Sequence, residues 1–254
     1  MEYLPVADAR SRGGLRLVLT AGVPGPWGES AKYILHVKGL AYAPVAQFAG
    51  MPNQELVEWT GCANAPVAVY ENESPRSGWA EILLLAERLS PEPRLIPADA
   101  EERAAMFGLC HEICGEQGFG WSRRLMLIDA LVGSGKSHPI GDVLARRYGW
   151  SKAAADAAPQ RVASILGMIA ARLRRQRDAG HEFLFGASLS AADLYWAAFS
   201  GMILPLEGEL CPLPDALRGW YTNVGPVVAD AIAPELISHR DRVYRNYLPL
   251  PMTF

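Results

Sequence analysis

The residues Leu15-Arg16-Leu17-Val18-Leu19 alternate with one polar interruption and predict a buried strand. Trp27, Ala31, Ile34 and Leu35 then recur at helical spacing, with a stop at Gly39. The mixed run from Tyr42 to Gly50 predicts a second strand, and Asn53 to Thr60 a short helix capped by Asn53. In Asn64-Ala65-Pro66-Val67-Ala68-Val69-Tyr70 a proline stands at the entry to a β-branched run, a place where proline is tolerated and where a cis Ala65-Pro66 bond is expected. Glu71 to Gly78 is polar and turn-rich. Trp79, Ile82, Leu83, Ala86 and Leu89 mark an amphipathic helix, which Pro91 and Pro93 terminate.

This α/β order ends in the proline-rich stretch Ser90 to Pro97, a natural linker. Beyond it the pattern is helical. The predicted helices cover Asp99 to about Leu131, with interruptions at Gly115, Gly118 and Gly120, then Pro139 to Tyr148, Ala158 to Ala179, Ala191 to Ile203, and a weaker region from Pro226 to Tyr247. The shift from mixed to all-α divides the sequence into a domain over residues 1–90, a linker over 91–98 and an all-helical domain over 99–254. Ser190-Ala191-Ala192-Asp193 precedes an apolar run and has the spacing of a capping box, which is a structural device.

Half of the 254 residues are hydrophobic, so core size is not limiting. The net charge of −3 and the pI near 6.0 argue against nucleic acid or an anionic membrane as the main partner. Residues 1–14 lack the apolar run of a secretory signal or anchor, and no later stretch has the length of a membrane span, so a cytoplasmic location is expected. The four cysteines, Cys62, Cys110, Cys114 and Cys211, form no CxxC pair, and disulfides are not expected. Cys110, His111 and Cys114 lack a fourth ligand at suitable spacing, so no metal site is assigned. Arg172, Arg174, Arg175 and Arg177 read as a solvated helix end rather than a binding patch.

Chemistry is expected at Thr20-Ala21-Gly22-Val23-Pro24-Gly25-Pro26-Trp27-Gly28-Glu29-Ser30, the loop that joins the first strand to a helix N-terminus. Its prolines fix φ and its glycines allow close backbone approach, while the first N–H groups of the helix point back into the loop, where they stabilise an anion or a thiolate. An ordinary βα turn has the same features.

Taken in order and spacing, four segments of this sequence carry a resemblance to the cytosolic glutathione transferases. Pro26 through Lys38-Gly39-Leu40 resembles the family's first helix, Ala65-Pro66-Val67 its cis-proline turn, Ile82 to Leu89 its third helix and Ser190 to Asp193 its capping box. The resemblance spans roughly residues 15 to 205. It implies a thioredoxin-like N-terminal domain followed by an all-helical, bundle-like C-terminal domain, with glutathione as cosubstrate, a small apolar electrophile and a homodimer. It also implies that glutathione pairs its backbone with the residue before Pro66 and points its thiol at the helix that begins near Trp27.

On that resemblance Gly28 stands where the serine- and cysteine-type members keep their catalytic side chain, and Thr20 stands nearest to the hydroxyl of the tyrosine-type members. Thiol activation then falls to backbone N–H groups near Trp27, Gly28 and Glu29, helped at most by Thr20 or Ser30, which are the catalytic side-chain candidates. Ala65, Pro66, Trp27 and Gly28 are the candidate glutathione contacts. Arg76 and Ser77 lie where the family has an acidic-Ser pair for the γ-glutamyl group, with Ser77 early and Glu81 late in register. Trp27, Met106, Cys110 and His111 are candidates for the apolar wall. The function implied is that of an enzyme adding or exchanging the glutathione thiolate on a hydrophobic electrophile, and the alternative is a catalytically silent glutathione- or ligand-binding protein of the same fold.

Gly133-Ser134-Gly135-Lys136-Ser137 matches only the end of a nucleotide-binding phosphate loop, because Ala130 stands at the first glycine position and a helical segment precedes it. Lys136→Ala is expected to leave function unchanged. ATP binding that this substitution abolishes, measured by calorimetry, would contradict that expectation.

Overall fold

The alternation at the start of the sequence is realised in a small mixed sheet. The structure is a computed structural model that describes residues 1–254. Its first compact unit comprises Met1–Arg94 together with Met252–Phe254, and its second comprises Leu95–Pro251.

The first unit runs α1 (Val6–Ser11), β1 (Leu15–Thr20), α2 (Pro26–Val37), β2 (Ala43–Gln47), α3 (Gln54–Thr60), β3 (Val67–Tyr70) and α4 (Trp79–Leu89). The strand order is β2-β1-β3. β2 lies parallel to β1 in a register that sets Thr20 opposite Gln47, and β3 lies antiparallel, with Val18 opposite Val67. The C-terminal ends of β1 and β2 therefore meet the N-terminal end of β3 at one edge of the sheet. Ala68 and Arg76 exchange backbone hydrogen bonds of 2.8 and 2.9 Å, a single bridge that extends the sheet beyond β3. The 71–78 turn thus folds back as a hairpin whose second arm is too short to form a strand.

Alternation of side chains along β1 divides the unit's interior. Val18 packs with Val45, Leu56, Val67, Val69 and Ala9 on the face covered by α1 and α3. Leu17 and Leu19 point to the opposite face, where α2 and α4 pack together. Asn53 precedes α3 but does not cap it with its side chain. Its backbone is left-handed (φ 48°), and its amide instead pairs with Phe48, accepting from the N–H at 2.9 Å and donating to the C=O at 2.9 Å.

The second unit is all-helical: α5 (Ala100–Cys114), α6 (Phe119–Val132), α7 (Pro139–Arg147), α8 (Lys152–Asp178), α9 (Ala191–Ser200), α10 (Asp215–Thr222), α11 (Pro226–Asp230) and α12 (Pro234–Tyr247). The stretch expected to be helical from residue 99 to 131 breaks at Gly115 and Gly118. A Cβ at Gly118 would lie 2.6 Å from the Glu112 carbonyl, so only glycine allows the backbone to turn back so closely. α8 starts earlier than its apolar pattern indicates, because the Ser151 hydroxyl accepts from the Ala154 N–H and caps it.

α9 is buried along its whole length. The Asp193 carboxylate, with no exposed surface, accepts from the N–H of Leu184 and from both the N–H and the hydroxyl of Ser190. His239 Nε2 of α12 lies 2.9 Å from Asp193 Oδ1, the oxygen that also accepts from Leu184. The capping box therefore also ties α9 to the 183–184 segment and to α12. No helix is long and apolar enough to cross a membrane.

Charge is buried in the first unit as well. Lys32 Nζ donates to both Glu29 carboxylate oxygens at 2.9 Å and to the Thr253 carbonyl at 2.6 Å, which fastens the last residues of the protein to α2. Burial raises the Glu29 carboxyl pKa, and Lys32 partly offsets it. Lys32→Met leaves that carboxylate without its cation, which costs about 3–5 kcal/mol. In that variant the folded-state pKa of Glu29 rises further above its unfolded value. Stability is then retained where the carboxyl is protonated and lost as pH rises through the folded pKa. Urea denaturation should show a larger deficit at pH 8 than at pH 5; an equal deficit at both would mean that Glu29 carries no buried charge.

Candidate functional site

Three local structures gather at the sheet end described above: the N-terminus of α2, the turn before β3 and the N-terminus of α4. Gly25 is the N-cap of α2, Pro26 holds its first position, and the first helical hydrogen bond runs from Glu29 N–H to Gly25 C=O at 2.9 Å. Proline is favoured at this position because its missing N–H would have no helical partner. The 21–25 loop is anchored by Ala21 N–H donating to Gln47 C=O at 3.0 Å and by Gly25 N–H donating to Val23 C=O at 2.9 Å.

Gly28 lies inside this helix and is buried. A Cβ added there would lie 3.2 Å from Leu19 Cδ2, so the position faces β1. Gly28 is thus a packing glycine that lets α2 cross the strand closely, and a side chain at this position would point into the core. That geometry does not fit the expectation that Gly28 holds the catalytic position.

The two candidate hydroxyls are committed to protein acceptors. Ser30 Oγ is buried and donates to Trp27 C=O at 2.9 Å. Thr20 shares the phase of Val18 along the strand, which places it on the α3 face of the sheet, and its Oγ1 donates to Gln47 Oε1 at 2.9 Å. Neither hydroxyl has its proton available at the start of α2.

At the second element the Ala65-Pro66 bond is cis, as the sequence predicts. Ala65 is half-buried, and neither its N–H nor its C=O is engaged in a hydrogen bond within the protein. The ladder between β1 and β3 ends at Val67, one residue beyond the proline. An extended segment can pair with this open donor and acceptor by strand addition.

At the third element Gly78 is the N-cap of α4, and its N–H donates to the Glu81 carboxylate at 2.9 Å. Glycine has no side chain to return the bond. Ser77 lies just before the cap and is exposed. The Arg76 guanidinium is paired with Glu73 at 2.6 Å, and Arg88 contacts the same carboxylate, which holds the Glu73 pKa below the usual range. Arg76 is therefore committed to an ion pair rather than aimed at a ligand.

The remaining candidates lie on α5 of the helical unit. Met106 and Cys110 have no exposed surface, which makes them core residues of that unit and not parts of an open wall, whereas His111 is exposed. Burial pushes the Cys110 and Cys114 thiols well above their ordinary range. Both stay protonated and inert as nucleophiles. The 133–138 stretch joins two helices, and Ser137 Oγ donates to Asp142 at 2.6 Å, which sets a carboxylate beside the loop that a phosphate would need.

The sequence pattern does not single out Gln47, yet this residue is buried and its amide bonds Thr20, Phe48 and Ala63. Its signal was its phase: in Ala43-Pro44-Val45-Ala46-Gln47 it occupies the inward side of the alternation, where a polar residue must find partners.

Because the Gly28 position already meets Leu19, Gly28→Val overpacks the α2–β1 contact and should cost about 1–3 kcal/mol. Thermal unfolding of the variant checks this; a valine accepted without loss of stability would show that the helix does not approach the strand so closely.

No protein-family model matches the sequence, and no curated protein matches it. Solved structures do. A rice glutathione transferase in complex with glutathione aligns over 95% of this protein and 94% of its own length, with a TM-score of 0.61 and 19% identity. The β-etherase LigF from Sphingobium sp. strain SYK-6 aligns over 91% and 94%, with a TM-score of 0.62 and 17% identity. A glutathione S-transferase domain-containing protein from Marinobacter aquaeolei VT8 aligns over 91% and 98%, with a TM-score of 0.64 and 18% identity. The protein has the fold of the glutathione transferases, a thioredoxin-like α/β unit followed by an all-helical one.

Proposed function

We propose that this protein binds glutathione on its thioredoxin-like unit and delivers the thiolate to an electrophilic carbon of a small apolar substrate. The observation that carries this reading is the open N–H and C=O of Ala65 at the end of β3. That donor and acceptor suit the cysteinyl backbone of an extended tripeptide thiol. The glutathione in the rice structure supports the same ligand.

A free thiol has a pKa of about 8.5, and a helix N-terminus lowers it. Since Ser30 and Thr20 give their protons to Trp27 C=O and Gln47 Oε1, the activating field comes from the α2 N-terminus and its backbone N–H groups. The thiol proton passes to solvent, sulfur forms its bond to the electrophilic carbon, and the leaving group departs with the electron pair of the bond that breaks. The same commitment of both hydroxyls favours a second reading, a glutathione-binding protein without turnover. A homodimer follows only from the family resemblance, and sedimentation of the purified protein tests it.

Calorimetric titration with glutathione tests the binding, and a chromogenic aryl halide tests the transfer. Saturable glutathione binding is expected. Ser30→Ala is expected to lower turnover by far less than the about 10²–10³-fold loss that follows removal of an oxyanion-type donor. Loss of activity in Ser30→Ala with glutathione affinity intact would make that hydroxyl the catalytic group. Absence of binding would remove the proposal.

A further inference from the structure

Gln47 occupies the sheet end where all three strands converge, and it is 3% exposed. Its Nε2 donates to Phe48 C=O at 3.0 Å and to Ala63 C=O at 3.2 Å, while its Oε1 accepts from Thr20 Oγ1 at 2.9 Å. These partners fix the amide in one orientation, because turning it over would set Oε1 against two carbonyl oxygens. The backbone carbonyl of Gln47 meanwhile holds Ala21 N–H at the start of the loop leading to α2. One buried residue thus ties the end of β1, the end of β2 and the 63–66 turn.

Ala63 lies two residues before Ala65, whose own N–H and C=O have no partner within the protein. The 62–65 segment therefore depends on bonds from side chains for its conformation. Thr60 Oγ1 supplies one by accepting from Cys62 N–H at 3.2 Å, and Gln47 supplies the next. We propose that Gln47 is a positioning residue that holds the Ala65 backbone edge extended for a peptide ligand without touching that ligand. The inference rests on the glutathione reading for the identity of the ligand, whereas the clamp itself rests on the three bonds of the Gln47 amide.

Gln47→Met keeps the length of the side chain and removes the amide. Backbone order at residues 62–65, read by amide nitrogen relaxation, should fall in this variant while the β1–β3 ladder keeps its order. Glutathione affinity should fall about tenfold, as expected when hydrogen bonds that pre-organise a site are lost, and kcat should be unchanged. Unchanged order overturns the inference, and so does lower order with full affinity, since Gln47 would then serve stability alone. If the unaltered protein binds no glutathione, the functional reading fails by itself, and the relaxation measurement still decides the clamp. Should Gln47→Met not fold, Gln47→Asn keeps an amide but draws it back from Ala63, and is read by the same two measurements. Lower order with weaker binding supports the proposal, and no change in either overturns it.

Discussion

The close contact between Gly28 and Leu19 sets how near α2 lies to β1. An ordinary side chain at the Gly28 position would bring its Cβ to 3.2 Å from Leu19 Cδ2, so either the Leu19 side chain or the helix would have to give by a few tenths of an ångström. With the gap closed, the face of α2 bearing Gly28, Ala31 and Leu35 is sealed against the sheet, and nearly every residue of the helix is buried. Polar residues on this helix must then find partners inside the unit. Ser30 does so through Trp27 C=O, and Lys32 and Glu29 do so through each other and the Thr253 carbonyl. Close packing therefore commits the polar side chains of α2 to the interior and leaves its N-terminal backbone for function.

The same pattern holds across the sheet end. Thr20 and Gln47 satisfy one another on the α3 face, and Glu81 takes the Gly78 N–H at the start of α4. What stays open is backbone: the N–H and C=O of Ala65. In the proposed function, such a site recognises an extended peptide by its backbone and stabilises a thiolate by a helix field.

Much of this architecture was legible in the sequence because its signals are local. Leucine alternation located β1, Pro66 marked the entry to β3, and Ser190 with Asp193 marked the start of α9, each a pattern that a few neighbouring residues determine. The site was less legible because its features depend on direction. Gly28 reads as the catalytic position in the sequence and acts as a packing contact in the fold, since only the crossing of α2 over β1 decides which way its missing side chain would point. Thr20 and Ser30 carry the appropriate hydroxyl, but their acceptors, Gln47 and Trp27 C=O, are set by strand pairing and helix geometry. Met106 and Cys110 formed an apolar stripe of the kind that lines either a pocket or a core, and burial shows the core. Asn53 resembled a cap by type and position, while its left-handed backbone turned the amide toward Phe48.

If glutathione is held by the Ala65 backbone edge and faces the start of α2, both places must respond to it together. Titration of the amide nitrogen spectrum of the isotopically labelled protein with glutathione reads the two at once. The amides of Ala65, Trp27 and Gly28 are predicted to shift along one saturating curve, while those of the α9 interior stay still. Saturable binding that leaves the first three unmoved would contradict this placement of the ligand.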